Sequence, residues 1–530
     1  MQASVNKALK AIIRGFVDSR GKPAPQKLET RTKRYNLFLF HHLSPFPLKR
    51  LTASRPSRYN LPMAKPTARD IVFRTLSRWT HLEDPPFLPE RHHPDWAILS
   101  PRDRSFAYDL LTGILRWRGT LETVIASRLN QRFDTLEMGL RVALWMGAYQ
   151  LLFQGTADYA AVNTAVDLAR KINPRAAGLV NAVLRAITRL EPRRVAVAPA
   201  GDVAAPITSR LGRHLIALDF DTDLRLNTAI FPDPAKDLVG HLAGVRSHPA
   251  AFVAHFLKIY PDQAAAVLLR NNQRPTITLR VDVDQLDVPA AAGLAAHGEE
   301  PRFLVAAQGW SDHLEELVDS GKLSPQDPTA AKPIRRVAEL VAQKALPAPT
   351  RILDLCAGLG TKTVQLARTF PAARVFATDL DNEKLHRLHA RVQKLKLSNV
   401  QTLPLTEIDN RKPDGTFDLI LLDVPCSNTG VFAKRVQSRW RWPTLDHAAL
   451  AAMQLKLLQQ AAAILAPAGT ILYSTCSIDP AENQERTQSF LAQNVAYSLV
   501  TQESRLPALT SAPAATHDGG YFAILRHSGA

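Results

Sequence analysis

The stretch Arg351-Ile352-Leu353-Asp354-Leu355-Cys356-Ala357-Gly358-Leu359-Gly360-Thr361-Lys362-Thr363 decides the fold. A strand-like run ends at Cys356, two glycines make a tight turn, and a helix begins by Thr363. Glycine lets a backbone come close to a ligand, and open α/β sheets bind their ligands at the carboxyl ends of the strands. A P-loop needs glycine directly before Lys-Thr, where this chain has Thr361. A dinucleotide fingerprint needs a third glycine where this chain has Thr363. An S-adenosylmethionine site needs only the shorter turn, because that ligand has no pyrophosphate to seat. Asp379, 19 residues past Gly360, then ends a second strand and can accept from both ribose hydroxyls. A tight turn without ligand is the alternative. The candidate cofactor residues are Cys356, Ala357, Gly358, Leu359, Gly360, Thr361, Lys362, Asp379 and Asp423.

Around this turn, residues 346–530 alternate strand and helix as an α/β Rossmann-like domain does. The pattern predicts strands over 351–356, 374–379, 417–423, 470–474 and 522–525, with helices over 363–369 and 382–395. FDLILLD at 417–423 is nearly continuous in apolar residues, like a central parallel strand. The stretch 448–466 reads as an amphipathic helix. Upstream, 246–345 reads as a small α+β domain with helices over 248–260 and 261–271 and a strand over 276–283. Residues 191–245 read as a linker. Residues 66–190 read as an all-α bundle, with apolar spacings of three and four over 69–79, 103–116, 121–129, 136–153, 159–171 and 177–190. Ser100-Pro101 is a plausible helix start.

The net charge of +18 favours a polyanionic partner. Residues 1–62 hold 13 Lys/Arg against Asp18 and Glu29, so they carry +11 and the rest carries +7. That stretch is expected to be a disordered basic extension. It is either an RNA-attracting tail or an over-extended reading frame before Met63. No long uncharged apolar run suggests a membrane span. Three cysteines in 530 residues argue for a reducing, cytoplasmic setting.

All three cysteines lie in the last third, each beside a predicted strand end. Leu422-Asp423-Val424-Pro425-Cys426-Ser427-Asn428-Thr429-Gly430 follows the buried strand, and Tyr473-Ser474-Thr475-Cys476-Ser477 follows the next. Acid, Pro-Cys and a polar loop do not make a core pattern. Cytosine C5 is a poor nucleophile, and a thiolate adding at C6 makes it enamine-like. Charge relief at N3 can come from a carboxyl group such as Asp423, and a second thiol can assist release. Cys356 has no such loop and reads as a residue of the cofactor turn. No metal site is read.

These motifs resemble the RsmB/Sun (Fmu) group of RNA 5-methylcytosine methyltransferases, in the NOL1/NOP2/Sun superfamily. The resemblance rests on DLCAGLGTKT, DVPCSNTG and STCS, on Gln326-Asp327-Pro328, on Pro480, Glu482 and Asn483, and on Asp518-Gly519-Gly520-Tyr521-Phe522. It implies Cys476 as the nucleophile, Cys426 as its release partner, and S-adenosyl-L-methionine as methyl donor. Residues 66–190 resemble a NusB-like RNA-binding domain through Arg102-Asp103-Arg104, Gly113-Ile114-Leu115-Arg116, Gly147–Leu152, Ala161-Val162-Asn163 and Val180–Arg185. The pairing implies 16S ribosomal RNA as partner, with transfer RNA as the nearest alternative, and a monomer is expected. Two departures stand out. The family turn reads A-P-G-G-K-T, and the acid expected after the third strand is absent around Thr402–Thr406, with Glu407 and Asp409 the nearest. The loop Ala433–Trp442 (AKRVQSRWRW) also differs, and its basic and aromatic residues suggest phosphate contact and base stacking.

Overall fold

The computed structural model describes residues 66–78, 94–197, 210–283, 293–307, 309–410 and 417–528. The expected basic extension at 1–62 lies outside them.

The helical part holds α1 (Ala68–Ser77), α2 (Pro101–Ala126), α3 (Met138–Tyr149), α4 (Asp158–Ile172) and α5 (Ala177–Thr188). Thr67 and Asp70 close a reciprocal capping box on α1, and the Ser100 side chain accepts from Asp103 N at the start of α2, ahead of Pro101. The two helices predicted over 103–116 and 121–129 are one helix. Gly119 does not break it, because the missing side chain is needed for packing: a Cβ there would lie 3.2 Å from Trp440 and from the backbone of Ala243 and Ser247. Helix α3 runs into a π turn at Gln150–Gln154 and stops at Gly155, which adopts φ +64°.

The segment read as a linker is largely folded. Strands β1 (Arg193–Ala196), β2 (Leu215–Ala217) and β3 (Thr222–Arg225) form an antiparallel sheet in the order β1-β3-β2, followed by α6 (Leu238–Val245). Short strands with alternating charge gave too weak a pattern to find it. Helices α7 (Ala250–Ile259) and α8 (Ala264–Asn272) also pack differently from the domain read over 246–345. Their Phe252, Phe256 and Val267 join the core of the helical bundle. The small sheet proper is β4 (Ile277–Val281), β5 (Leu294–Ala296), β6 (Phe303–Ala306) and β7 (Leu323–Pro325), ordered β5-β6-β4-β7 and covered by α9 (Asp312–Asp319). Helix α10 (Pro328–Ala342) belongs with the next sheet, burying Ile334 and Val337 against Ile352 and Leu419.

That sheet has seven strands: β8 (Arg351–Asp354), β9 (Arg374–Ala377), β10 (Val400–Thr402), β11 (Phe417–Asp423), β12 (Leu465–Thr475), β13 (Tyr497–Arg505) and β14 (Gly520–His527). Their order is β10-β9-β8-β11-β12-β14-β13. Strands β8 to β12 are parallel, and β14 pairs antiparallel with both β12 and β13. Helices α11 (Thr361–Thr369), α12 (Asn382–Lys394), α13 (His447–Ile464) and α14 (Gln484–Gln493) complete this α/β unit. In register Leu421 faces Asp354, Asp354 faces Ala377, and Asp423 faces Ser474. Pairing thus brings the carboxyl ends of β8, β9, β11 and β12 to one edge, where the glycine turn and both cysteine loops emerge. Among the described residues no helix is long and apolar enough to cross a membrane.

Candidate active site

The glycine turn follows β8 and opens α11. Gly358 and Gly360 adopt φ of +55° and +81°, which L side chains rarely take. A Cβ on Gly360 would run into Leu388, whereas one on Gly358 would meet nothing within 4 Å. Gly358 therefore faces open space. Gly358 N donates to Asp379 Oδ2 at 2.8 Å, and Asp381 N to Asp379 Oδ1 at 2.9 Å. The acid after β9 is thus fixed directly against the turn. Ala357, buried, donates its N–H to Thr378 O, while Leu359 is exposed. Thr361 receives a long contact from Arg391 at 3.4 Å.

Asp354, not selected from sequence, lies beneath this turn. Its Oδ2 accepts from Thr363 Oγ1 at 2.7 Å, but its Oδ1 is buried without a partner. Burial pushes its carboxyl group up to about 7; Thr363 opposes the shift, and the charges of Asp423 and Asp379 add to it. The Cys356 thiol is raised well above its ordinary value by burial and by Asp354, Asp379 and Asp423. It stays protonated, which fits a lining role. A raised Asp354 with the charges of Asp379 and Asp423 near it, its unpaired buried oxygen and open space over Gly358 fit a cationic ligand. S-adenosylmethionine carries a sulfonium and an ammonium group.

Asp423 ends β11. Its Oδ1 accepts from Lys362 Nζ at 2.5 Å and from Ser474 Oγ at 2.9 Å, and Lys362 Nζ also donates to Ser474 Oγ at 3.0 Å. Lys362, read as a cofactor residue, therefore joins the glycine turn to Asp423 at the end of β11. An ion pair across 61 residues leaves no local trace in a sequence.

The two cysteine loops meet. Cys426 Sγ and Cys476 Sγ are 3.1 Å apart, both half-buried, and Cys476 Sγ lies 3.3 Å from Asn428 Oδ1. The Cys426 thiol is pushed well above its ordinary value, first by its hydrogen bond with Cys476, then by burial, and further by the charges of Cys476 and Glu482. Glu482 clips the loops together: its carboxylate accepts from Ser427 N at 2.8 Å, from Ser477 Oγ at 2.7 Å and from Ser427 Oγ. Gly430 N donates to Cys476 O at 3.0 Å, and Gly519 N to Gly430 O at 2.9 Å. Lys434 bridges Asp327 at 2.8 Å and Asp518 at 2.7 Å. The matched motifs QDP, DGGYF and PCSNTG are thereby tied at one point.

The loop Ala433–Trp442 is not the exposed stacking surface expected. Arg439 is fully buried, Trp440 and Trp442 nearly so. Arg439 donates only to carbonyl and amide oxygens, among them Arg116 O, Ser247 O and Asn271 O. Charged side chains default to solvent, so a sequence reading places them there; here neutral acceptors from distant segments satisfy one inside. Among the described residues no cluster of His, Cys, Asp and Glu could hold a metal.

The profile of the 16S rRNA methyltransferase RsmB/F family matches residues 345–522, and that of the NusB family matches residues 66–189. The chain is 30% identical over 444 residues to Ribosomal RNA small subunit methyltransferase B of Sodalis glossinidius, covering 81% of this chain and 90% of that one. It is 28% identical over 473 residues to the protein of that name from Vibrio vulnificus, covering 86% and 98%. A solved structure described as PH0851 superposes with a TM-score of 0.60 at 18% identity, over 88% of this chain and 99% of that one, which shows a shared fold. Its turn, its paired thiol loops and these relatives together make the chain a member of the ribosomal RNA small subunit methyltransferase B family, an S-adenosylmethionine-dependent rRNA methyltransferase with an N-terminal NusB domain.

Proposed function

We propose that the chain methylates C5 of a cytosine in 16S ribosomal RNA through a covalent bond between Cys476 Sγ and C6 of the base. The contact of Cys426 and Cys476 at 3.1 Å carries the reading, with Asp423 and Lys362 beside them. Bound over the glycine turn, S-adenosylmethionine supplies an electrophilic methyl group. Residues Gly358, Asp379 and Asp354 would hold it, and Ala357, Leu359 and Thr361 would line it.

Cys476, as thiolate, donates an electron pair to C6, and the ring electrons move toward N3. Asp423 relieves that charge by passing to N3 a proton supplied by the Lys362 ammonium, which donates to its Oδ1 at 2.5 Å. The C5 carbon, now enamine-like, takes the methyl group. The C5 proton then leaves to a base, its electron pair re-forms the C5–C6 double bond, and the C6–S pair returns to Cys476. In the adduct Cys476 carries no charge, and Cys426, 3.1 Å away, is the group that takes the C5 proton as base, directly or through a water. The NusB-like bundle and the small sheet hold the RNA by phosphate and shape contacts.

Cys476→Ser is expected to abolish methyl transfer from labelled cofactor to 16S RNA. Cys426→Ala is expected to trap an RNA–protein adduct that survives a denaturing gel. Full activity of Cys476→Ser would overturn the assignment. Bisulfite mapping of RNA from a deletion strain tests the substrate, and loss of a transfer-RNA methylcytosine instead would redirect it.

A further inference from the structure

The segment that leaves Cys426 runs out of the methyltransferase sheet and into the helical bundle. Phe432, Val436 and Trp442 belong to the same apolar core as α1 to α5, and so does Ile478 from the Cys476 loop. Polar contacts lock the segment in place. Arg439 Nη1 donates to Arg116 O at 3.2 Å, Ser247 O at 3.2 Å and Asn272 Oδ1 at 2.6 Å, and its Nη2 to Asn271 O at 2.5 Å and Phe432 O at 3.3 Å. In return Arg116 Nη2 donates to Ala433 O at 3.0 Å, and Trp440 Nε1 to Leu115 O at 2.7 Å. The Arg118 guanidinium stacks 4.6 Å above the Trp440 ring.

Burial and the nearby Arg116 hold the Arg439 guanidinium well below its ordinary value, and among the described residues no carboxylate pairs with it. A buried cation without a counter-ion is retained only where many oriented dipoles satisfy it. These dipoles come from α2, from the turn at 246–248 and from the end of α8. The Cys476 loop is tied to the same half of the chain, since Tyr260 Oη donates to Ile478 O at 2.7 Å and His255 Nε2 meets Asp479 Oδ2 at 2.6 Å.

We propose that Arg439 is a positioning residue for the thiol pair, and that through it the NusB-like bundle is a structural part of the active site. Glu482 and Gly430 hold the near end of the Cys426 loop; Arg439 holds the far end in α2. The bundle thus sets how Cys426 stands against Cys476, in addition to any contact it makes with RNA. The inference rests on the two-thiol reading above, and its test reads the thiols directly.

Full-length protein is treated with phenylarsine oxide, a trivalent arsenical that bridges two neighbouring thiols, and capture of one arsenic by two cysteines is followed by mass spectrometry. Arg439→Met removes all five contacts. Gly119→Ala presses from the bundle side, because its Cβ would lie 3.2 Å from the Trp440 ring and from two backbone atoms. Alanine favours the helix, so this second variant stays folded. Both are expected to slow bridging and lower kcat about tenfold, with the Kd for S-adenosylmethionine within about twofold. Arg439→Lys, with three donors, falls between. If Arg439→Met does not fold, Gly119→Ala and Arg439→Lys decide. Wild-type bridging and kcat in Gly119→Ala and Arg439→Lys would overturn the proposal. Slowed bridging in a protein whose Cys476→Ser form still methylates RNA would uphold the positioning role and overturn the nucleophile.

Discussion

Asp354 sits under the cofactor turn with a carboxyl group raised to about 7 and one oxygen unpaired. An acid raised above its unfolded value of about 3.9 destabilises the fold as pH rises between the two values, because the folded state then binds the extra proton. A cationic ligand reverses this locally. Affinity for S-adenosylmethionine is therefore expected to rise with pH through about 7, with proton release on binding below it. Calorimetry in two buffers of different ionisation enthalpy measures the protons. S-adenosylhomocysteine, which lacks the sulfonium charge, should show a shallower dependence, and Asp354→Asn should flatten it. Sequence reading selected Asp379, Asp423, Cys426 and Cys476, because each stands at a strand end in an unusual local pattern. It did not find Asp354, which looks like an ordinary strand residue, and it misplaced Arg439 at the surface. Both depend on groups hundreds of atoms away along the chain.

Helices, strands and their loops set the second scale. Gly430 lies where the Cys426 loop crosses the DGG turn. A Cβ there would stand 2.6 Å from the backbone of Gly519 and 2.8 Å from Cys476 O, and backbone on both sides cannot yield. Gly430→Ala is expected to shift the Cys476 loop and cost about 10²-fold in kcat, with cofactor affinity retained. Single-turnover transfer beside equilibrium cofactor binding checks it. The tie between α7 and that loop is pH-dependent. The hydrogen bond to Asp479 raises His255 despite partial burial, while Asp479 is lowered by His255 against its own burial. The charged tie therefore weakens as pH rises through the raised value of His255, and again as pH falls through the lowered value of Asp479. Hydrogen exchange over 476–483 should quicken on the alkaline side, and His255→Gln should remove that step. Buried parallel strands were legible as apolar runs, β11 to the residue. Strand β13, with Tyr497–Arg505 mostly half-exposed or exposed, and the small sheet β1-β3-β2 were not, since their polar residues carry no clear alternation.

Across the whole molecule, one apolar core runs from α1 into both cysteine loops. Phe432, Val436, Trp442 and Ile478, each fully or nearly buried, stabilise it by about 1.5–3 kcal/mol apiece, against about 0–1 kcal/mol for an exposed ion pair. Packing therefore decides that bundle and sheet act as one body. Phe432→Ala should cost about 3–5 kcal/mol, and scanning calorimetry should show one transition moving down, not a bundle melting apart from the sheet. The domain order was legible from motif and periodicity. The shared core was not, because nothing local marks Phe432 as a partner of α2.

The Trp440 contact with Leu115 spans 325 residues of chain. At about 5–20 residues per second, the ribosome takes roughly 15–65 s to make the second half of that contact after the first. Throughout that interval the newly made bundle shows water the apolar face that Phe432, Val436 and Trp442 later cover. Nascent chains arrested after residue 190 should therefore engage chaperones, and those arrested late enough for residue 478 to have left the ribosome should let go.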